Sequence, residues 1–258
     1  MSTPPPRKSL GQHFLVDDNI LGVIVRLAEL DEADVALEIG PGFGVLTNVL
    51  SAHCRYVHAV ELDSRLEPHL REIESVPNVS LHWGDALRLD LSVLEPAPTK
   101  LVANLPYNVA TPIVAESLDR LPTIDLWCVM VQREVADRFF AVPSTKAYGA
   151  VSVLIQLAAV RTGFHPVSRT VFRPLPNVDS ALVAFRRKAL PENFSWVRRV
   201  VEGAFAHRRK TLANSLQLAD VASRDVTVAA LASLGIDSSV RAEALEPTVF
   251  VELAQRLA

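Results

Sequence analysis

The segment with the clearest chemical meaning is Asn104-Leu105-Pro106-Tyr107, which directly follows the apolar stretch at residues 100–103. The side-chain oxygen of Asn104 and the carbonyl oxygen of Leu105 can accept both hydrogens of an aromatic amine, such as N6 of adenine. The lone pair of that amine is then directed at an electrophile, while the ring of Tyr107 stacks on the base. A base in a helix must be unstacked to reach these groups. A simple turn made by Asn and Pro is the alternative.

A glycine-rich turn lies between a predicted strand at residues 35–39 and a predicted helix at residues 45–52. Glycine is needed where a ligand approaches the backbone closely. The glycines are Gly40, Gly42 and Gly44, and the residue five positions after Gly40 is Val45, so the spacing departs from the G-x-G-x-x-G turn of nicotinamide and flavin sites. The spacing fits the G-x-G-x-G turn with which methyltransferases bind S-adenosylmethionine. A plain strand-to-helix turn is the alternative.

Two carboxylates follow the next two predicted strands. Glu61 lies 21 residues after Gly40, and Asp85 follows the strand predicted at residues 79–83. Ligands of open α/β sheets bind at the carboxyl ends of the strands, so Glu61 can accept hydrogen bonds from both hydroxyls of a ribose and Asp85 from an adenine amine. Taken singly, each acid is equally compatible with a surface position or a helix cap.

The elements that position these residues alternate between strand and helix. This pattern predicts an α/β fold with a Rossmann-like, mostly parallel sheet, helices on both faces and an antiparallel last strand at residues 181–185. Beyond about residue 191 only helical periodicity is found. We therefore expect an N-terminal segment with a flexible tail at residues 1–16, a domain at residues 17–190 whose glycine turn is typical of class I methyltransferases, and a small all-helical domain at residues 191–258.

The charge distribution is uneven. The chain has 26 Lys and Arg against 29 Asp and Glu, a net of −3 that does not by itself indicate a nucleic-acid partner. Residues 161–210, however, contain eleven basic and three acidic residues, a net of +8. Such a zone is compatible with an RNA-facing surface, although an ordinary solvated surface is the alternative. Its candidates for RNA binding in the helical domain are Arg198, Arg199, Arg208, Arg209 and Lys210.

The cysteines and the terminal segment indicate the compartment. Cys54 and Cys128 are far apart without C-x-x-C spacing, which predicts buried, unpaired thiols in a reducing compartment. Histidines and cysteines show no metal-site spacing, so we expect no metal. The N terminus lacks the apolar segment of a signal peptide. The apolar run at residues 147–160 is too short to span a bilayer. We therefore expect a cytoplasmic protein, a monomer, without membrane association.

Taken together, the motifs resemble those of the KsgA-type 16S rRNA (adenine-N6,N6-)dimethyltransferases, from about Ser9 to the C terminus. The matching segments occur in the order of the family. They are GQHFL at 11–15, EIGPGFG at 38–44, ELD at 61–63, GDA at 84–86, NLPYN at 104–108, QREVADR at 132–138, FRPLPNVDS at 172–180, and RRKTL at 208–212 with Asn214.

The resemblance implies dimethylation of two adjacent adenosines in a hairpin near the 3′ end of 16S rRNA, within an assembling small ribosomal subunit and with methyl groups from S-adenosylmethionine. It implies that the cofactor pocket is lined by His13, Leu15, Gly40, Gly42, Glu61, Asp85 and Asn104.

His13 stands where the family more usually has asparagine. Phe172 is implied to stack on the adenine face opposite Tyr107, with a core position beside a proline-stiffened loop as its alternative. The basic residues of the helical domain, above all Arg208-Arg209-Lys210, are implied to hold RNA phosphates.

Two other functions fit parts of the sequence. A 23S rRNA adenine N6-methyltransferase of the macrolide-resistance type shares the sheet and an Asn-x-Pro-Tyr motif, but Asn108-Val109-Ala110-Thr111 and residues 208–214 are more like the small-subunit enzyme. A non-catalytic ribosome-assembly checkpoint protein is the second alternative. The intact motif at residues 104–107 argues against a purely binding role.

Overall fold

The computed structural model describes Arg7 and residues 11–258. Of the tail predicted at residues 1–16, positions 1–6 and 8–10 therefore lie outside the described residues. Contacts divide the chain into two compact units. The first comprises the described residues up to Ala136 and Arg161–Arg187, and the second comprises Asp137–Val160 and Lys188–Ala258.

The strands are, in chain order, β1 Phe14–Leu15, β2 Val35–Ile39, β3 Tyr56–Glu61, β4 Val79–Trp83, β5 Lys100–Asn104, β6 Leu126–Gln132, β7 Ala159–Val167, β8 Phe172–Arg173 and β9 Ser180–Arg187. In the described chain they form a seven-stranded sheet of order β4-β3-β2-β5-β6-β9-β7 and a separate pair, β1-β8. Strands β4, β3, β2, β5 and β6 run parallel to one another, whereas β9 pairs antiparallel to β6. The predicted mostly parallel sheet with an antiparallel last strand is confirmed.

Helices connect these strands. They are α1 Asp18–Leu27, α2 Val45–His53, α3 Glu67–Glu74, α4 Ala110–Arg120 and α5 Arg133–Phe139. Helix α1 begins where Asp17 caps it, since the Asp17 carboxylate accepts hydrogen bonds from the backbone N–H groups of Asn19 (2.9 Å) and Ile20 (3.3 Å). Its apolar stripe then buries Ile20 and Ile24.

The core of the first unit is built on fully buried strands. Every residue of β2 is buried, as expected for a parallel strand covered on both sides. Trp127 of β6 stacks on Phe185 of β9 with 5.2 Å between ring centroids. Cys54 and Cys128 are buried and free, as predicted. No helix in the described part of the chain is long and apolar enough to cross a membrane.

The second unit contains helices α6 Ala150–Ala158, α7 Phe194–Ala206, α8 Leu212–Leu218, α9 Arg224–Ser233 and α10 Pro247–Leu257. The predicted helical C-terminal region is thus confirmed. Helix α6 and strand β7 were not predicted. Seven of the nine residues of α6 are buried, so its sequence has no polar face to create an amphipathic period.

The division between the units differs from the predicted boundary near residue 190. Lys188 does begin the later segment of the second unit, but residues 137–160 pack with that segment rather than with the sheet domain. The Tyr148 hydroxyl donates to the Leu245 carbonyl (2.7 Å), and Lys188 N–H donates to the Ala158 carbonyl (2.9 Å). These contacts join residues that are distant in sequence, so no local sequence pattern predicts them.

Candidate cofactor and target-base site

The carboxyl ends of β2, β3, β4 and β5 border an open cavity of about 150 Å³ in the first unit. Every residue predicted to bind the cofactor lines this cavity: His13, Leu15, Gly40, Gly42, Glu61, Asp85 and Asn104. Leu105 and Tyr107, predicted to act on the target base, line it as well. The topology therefore brings the predicted residues together, because parallel strands end at one edge of the sheet.

At Gly42 of the glycine turn a side chain would collide with its neighbours, whereas at Gly40 the backbone conformation is the obstacle. Gly42 has φ +61°, and a Cβ there would lie 2.8 Å from a ring carbon of Phe14. Gly40 has φ +76°, and a Cβ there would touch the Pro106 ring at 3.4 Å. The positive φ at both positions and the lack of space at Gly42 therefore make glycine necessary in this turn.

Glu61 is held rigidly at the end of β3. It is buried, and its two carboxylate oxygens accept hydrogen bonds from the backbone N–H groups of Gly42 (3.2 Å) and Asp63 (2.8 Å). Burial raises the pKa of Glu61, an effect that the backbone hydrogen bonds oppose. The carboxylate is therefore oriented before any ligand arrives.

Asp85 is less constrained than Glu61. It is only half-buried, and one carboxylate oxygen accepts a hydrogen bond from Leu87 N–H (3.0 Å). The other oxygen lies 3.5 Å from Nε of the exposed Arg88. Asp85 can therefore turn a carboxylate oxygen toward a ligand at the rim of the cavity.

Glu38 was not singled out from its motif as a site residue. It is buried beneath the glycine turn, and it accepts a 2.7 Å hydrogen bond from the Thr47 hydroxyl. Burial raises the pKa of Glu38 to about 8, partly opposed by the Thr47 hydrogen bond. Near neutral pH this side chain is therefore mostly protonated and can donate as well as accept a hydrogen bond.

The side-chain amide of Asn104 is oriented by the N-terminal segment. Its Nδ2 donates a 3.0 Å hydrogen bond to the carbonyl oxygen of His13. Because the amide nitrogen is engaged there, Oδ1 is the atom presented as an acceptor. Oδ1 is also the atom that the sequence predicts to accept a hydrogen of the target amine.

Tyr107 is anchored at its hydroxyl and along its ring. The hydroxyl lies 2.7 Å from Ser180 Oγ, and the ring centroid lies 5.2 Å from that of His13. The His13 ring is fixed in turn, since its Nδ1 donates to the carbonyl of Pro174 at 2.8 Å. Burial raises the pKa of Tyr107, which keeps the phenol neutral. Pro174 and Ser180 both belong to the segment at residues 172–180 that matches the family, but its sequence did not indicate these contacts.

Phe172 lies elsewhere. Its side chain is fully buried in the hydrophobic core, and its strand residue pairs with Leu15 across the β1-β8 ladder. No face of the ring is open to the cavity. The predicted stacking of Phe172 on the target base is therefore wrong, and the alternative, a position in the core, is the one observed. In the two-residue β1-β8 pair the side chain of Phe172 faces the core, where burial of its apolar ring is favourable.

The basic residues predicted to bind RNA all lie in the second unit, in different surroundings. Arg198 is half-buried against the ring of Phe194 and lies 3.6 Å from Glu202. Arg208 donates to the Tyr148 carbonyl at 2.9 Å.

Arg208 and the remaining three basic side chains are all exposed. Arg199 donates to the Asp220 carbonyl at 3.1 Å, whereas Arg209 and Lys210 lie in the turn that follows α7.

The chain matches the family model described as "Ribosomal RNA adenine dimethylase" over residues 5–258. It is similar to a "Ribosomal RNA small subunit methyltransferase A" from Rubrobacter xylanophilus, with 46% identity over 257 residues, covering 99% of this chain and 96% of the relative. A protein with the same description from Thermobifida fusca is 43% identical over 259 residues, covering 97% of this chain and 90% of the relative.

Solved structures support the same fold. A dimethyladenosine transferase from Plasmodium falciparum superposes with a TM-score of 0.78 at 24% identity, covering 93% of this chain and 96% of that chain. The 23S rRNA methyltransferase ErmE superposes with a TM-score of 0.65 at 28% identity, covering 95% and 99%. The chain therefore belongs to the ribosomal RNA adenine dimethylase family and is a methyltransferase that acts on adenine in ribosomal RNA, as the sequence predicted.

Proposed function

We propose that this protein transfers methyl groups from S-adenosylmethionine to N6 of two adjacent adenosines in a hairpin near the 3′ end of 16S rRNA, within an assembling small ribosomal subunit. The observation that carries the proposal is that one cavity joins the glycine turn and Glu61 to Asn104, whose amide oxygen is set as an acceptor. The proposal includes action in the cytoplasm as a monomer.

The chemistry of the cavity fits the proposed cofactor. The Glu61 carboxylate is suited to a ribose diol, and Asp85 is suited to an adenine amine. The bare backbone at Gly40 and Gly42 lets a bulky ligand approach closely, and His13 and Leu15 close the cavity from the N-terminal side. When bound, the cofactor supplies an electrophilic methyl group on a sulfonium sulfur.

The groups after β5 orient the nucleophile. Asn104 Oδ1 and the Leu105 carbonyl accept the two hydrogens of the adenine amine, so that the nitrogen lone pair points along the line of attack. Holding the two reactants in this geometry accounts for a large share of the rate. The amine proton leaves after the nitrogen has become cationic, and a strong general base is not required. Tyr107 stacks on the flipped base.

The second unit supplies the proposed RNA contacts. Arg209 and Lys210 are exposed, with Arg199 and Arg208 on the same unit, and all belong to the basic zone at residues 161–210. Phosphate contacts of this kind position the substrate without reading its sequence. The net charge of −3 for the whole chain favours recognition of an assembled particle over binding to naked RNA.

The decisive experiment measures transfer of labelled methyl from S-adenosylmethionine to small subunits that lack the modification, followed by primer extension to map the methylated bases. We expect label on two adjacent adenosines near the 3′ end of 16S rRNA. Large subunits prepared in the same way serve as the control. Label on 23S rRNA alone, or purified protein that binds no S-adenosyl compound, would overturn the proposal.

A further inference from the structure

Asp63 is a buried carboxylate outside the roles described above. Its side chain is only 1% exposed. Arg65 donates two hydrogen bonds to it, from Nε to Oδ1 at 2.8 Å and from Nη2 to Oδ2 at 2.6 Å. The Arg65 guanidinium holds the pKa of Asp63 at about 2, so the carboxylate is charged at neutral pH. Its Oδ2 also accepts a 3.1 Å hydrogen bond from Nε2 of Gln12. A buried charge held in this way is a rigid anchor for the N-terminal segment.

The N-terminal segment at residues 11–15 lies across the loop that carries the proposed catalytic groups. Gly11 has φ +63°, and a Cβ there would lie 3.2 Å from Asn108 Oδ1 and 3.3 Å from Tyr107 N. Two residues further on, the His13 carbonyl accepts the hydrogen bond from Asn104 Nδ2. Gln12 therefore stands between an anchored carboxylate and the carbonyl that orients Asn104.

We propose that Gln12 and Asp63 are positioning residues for methyl transfer, acting by holding the His13 carbonyl where it fixes the side-chain amide of Asn104. This inference rests on the proposed function. If the His13 carbonyl moves, the Asn104 amide is free to rotate by 180°, and its NH₂ group then faces the hydrogens of the target amine. A donor facing a donor removes the hydrogen bond that directs the lone pair.

Asp63 also connects the two halves of the site. Its backbone N–H donates to Glu61 Oε1 at 2.8 Å, so one residue orients the proposed ribose-binding carboxylate and, through Gln12, the proposed catalytic amide. Displacement of a reacting group by about 1 Å can lower a rate by about 100-fold. The same N-terminal segment carries His13 and Leu15, so cofactor affinity should fall slightly, but the main effect should be on kcat because the cofactor keeps Glu61, Asp85 and the glycine turn.

The test compares Gln12→Ala with wild type in methyl transfer to unmodified small subunits, together with the Kd for S-adenosylhomocysteine. We expect kcat to fall by about 10- to 100-fold while Kd changes by less than about threefold. The exposed Gln255→Ala serves as the matched control. Thermal unfolding of each variant reports whether the fold is retained.

Two further variants separate orientation from general loosening. Gln12→Glu places two carboxylates side by side and should lower kcat further. Adding Asp63→Asn to Gln12→Glu restores a hydrogen bond between a side-chain amide N–H and a carboxylate, so the double variant should recover part of the lost kcat. In an Asn104→Asp background there is no amide to orient, so Gln12→Ala should change the remaining rate by less than about twofold.

The outcomes are distinguishable. If wild type transfers no methyl group to small-subunit RNA, both the proposed function and this inference fail. If wild type is active and Gln12→Ala has a wild-type kcat, only the positioning role is overturned. The same holds if the loss in Gln12→Ala lies entirely in cofactor affinity, or if Asp63→Asn gives no recovery with Gln12→Glu.

Discussion

The hydroxyl of Tyr107 lies 2.7 Å from the hydroxyl of Ser180, across 73 residues of chain. Tyr107 belongs to the loop after β5, and Ser180 opens the antiparallel strand β9. This hydrogen bond fixes the outer end of a ring whose face is proposed to receive the target base. Tyr107 therefore has two features that substitutions can test independently, the aromatic face and the hydrogen-bonded hydroxyl.

Tyr107→Ala should weaken methyl transfer strongly, and Tyr107→Phe should weaken it only slightly. Loss of stacking on one base costs about 1–3 kcal/mol, whereas the phenyl ring of the second variant keeps that interaction. Ser180→Ala should resemble Tyr107→Phe, because it removes the same hydrogen bond from the other side. Steady-state kcat/KM on unmodified small subunits provides the measurement. Equal activity of Tyr107→Ala and wild type would exclude Tyr107 from the base pocket.

Asn104→Ala should abolish detectable methyl transfer while retaining binding to the small subunit. The substitution removes one of the two proposed acceptors, and loss of one positioned hydrogen-bonding group lowers a rate by on the order of 100-fold or more. Methyl incorporation and particle co-sedimentation are measured side by side. The exposed Asn48→Ala on α2 is the control. Wild-type turnover in Asn104→Ala would remove this residue from the mechanism.

Arg209→Glu combined with Lys210→Glu should reduce affinity for the small subunit without changing affinity for the cofactor. Both side chains are exposed in the turn after α7, and each lost phosphate contact lowers affinity and flattens the salt dependence by about one unit of slope. Arg224→Glu with Arg256→Glu makes the same change of charge at other exposed sites of the second unit. If the two double variants weaken binding to the small subunit equally, the effect comes from net charge alone, and the assignment of Arg209 and Lys210 to the RNA contact is wrong.

Glu38 should make the stability of the ligand-free protein depend on pH. Its pKa is raised from 4.5 to about 8 by burial, so the folded state holds a proton that the unfolded state has released. The stabilisation that Glu38 provides is therefore complete below pH about 4.5 and is lost as the pH rises through about 8.

Glu38→Gln keeps an acceptor for the Thr47 hydroxyl and removes the titration. The difference in unfolding free energy between wild type and Glu38→Gln should thus decline with rising pH, as followed by denaturant unfolding at several pH values. The exposed Glu32→Gln supplies the reference variant. A difference that stays constant across this range would mean that Glu38 is not protonated in the fold.

Much of the site follows from local sequence alone. Alternating strand and helix patterns predict a mostly parallel sheet, and the ends of parallel strands must meet at one edge. Gly40, Glu61, Asp85 and Asn104 each lie at the carboxyl end of a strand, so their shared cavity could be predicted without coordinates. Strand periodicity and glycine spacing are properties of neighbouring residues, which is why they can be read from one chain.

Contacts between distant segments were decided only by the tertiary structure. The hydrogen bonds from Gln12 to Asp63 and from Asn104 to the His13 carbonyl join positions 51 and 91 residues apart, and nothing in either local sequence encodes the partner. Phe172 could face the base or the core by type alone, and the register of the β1-β8 pair turned it inward. Pairing of this kind depends on the energy of the whole packed chain, so it emerges only when the strands and helices are assembled.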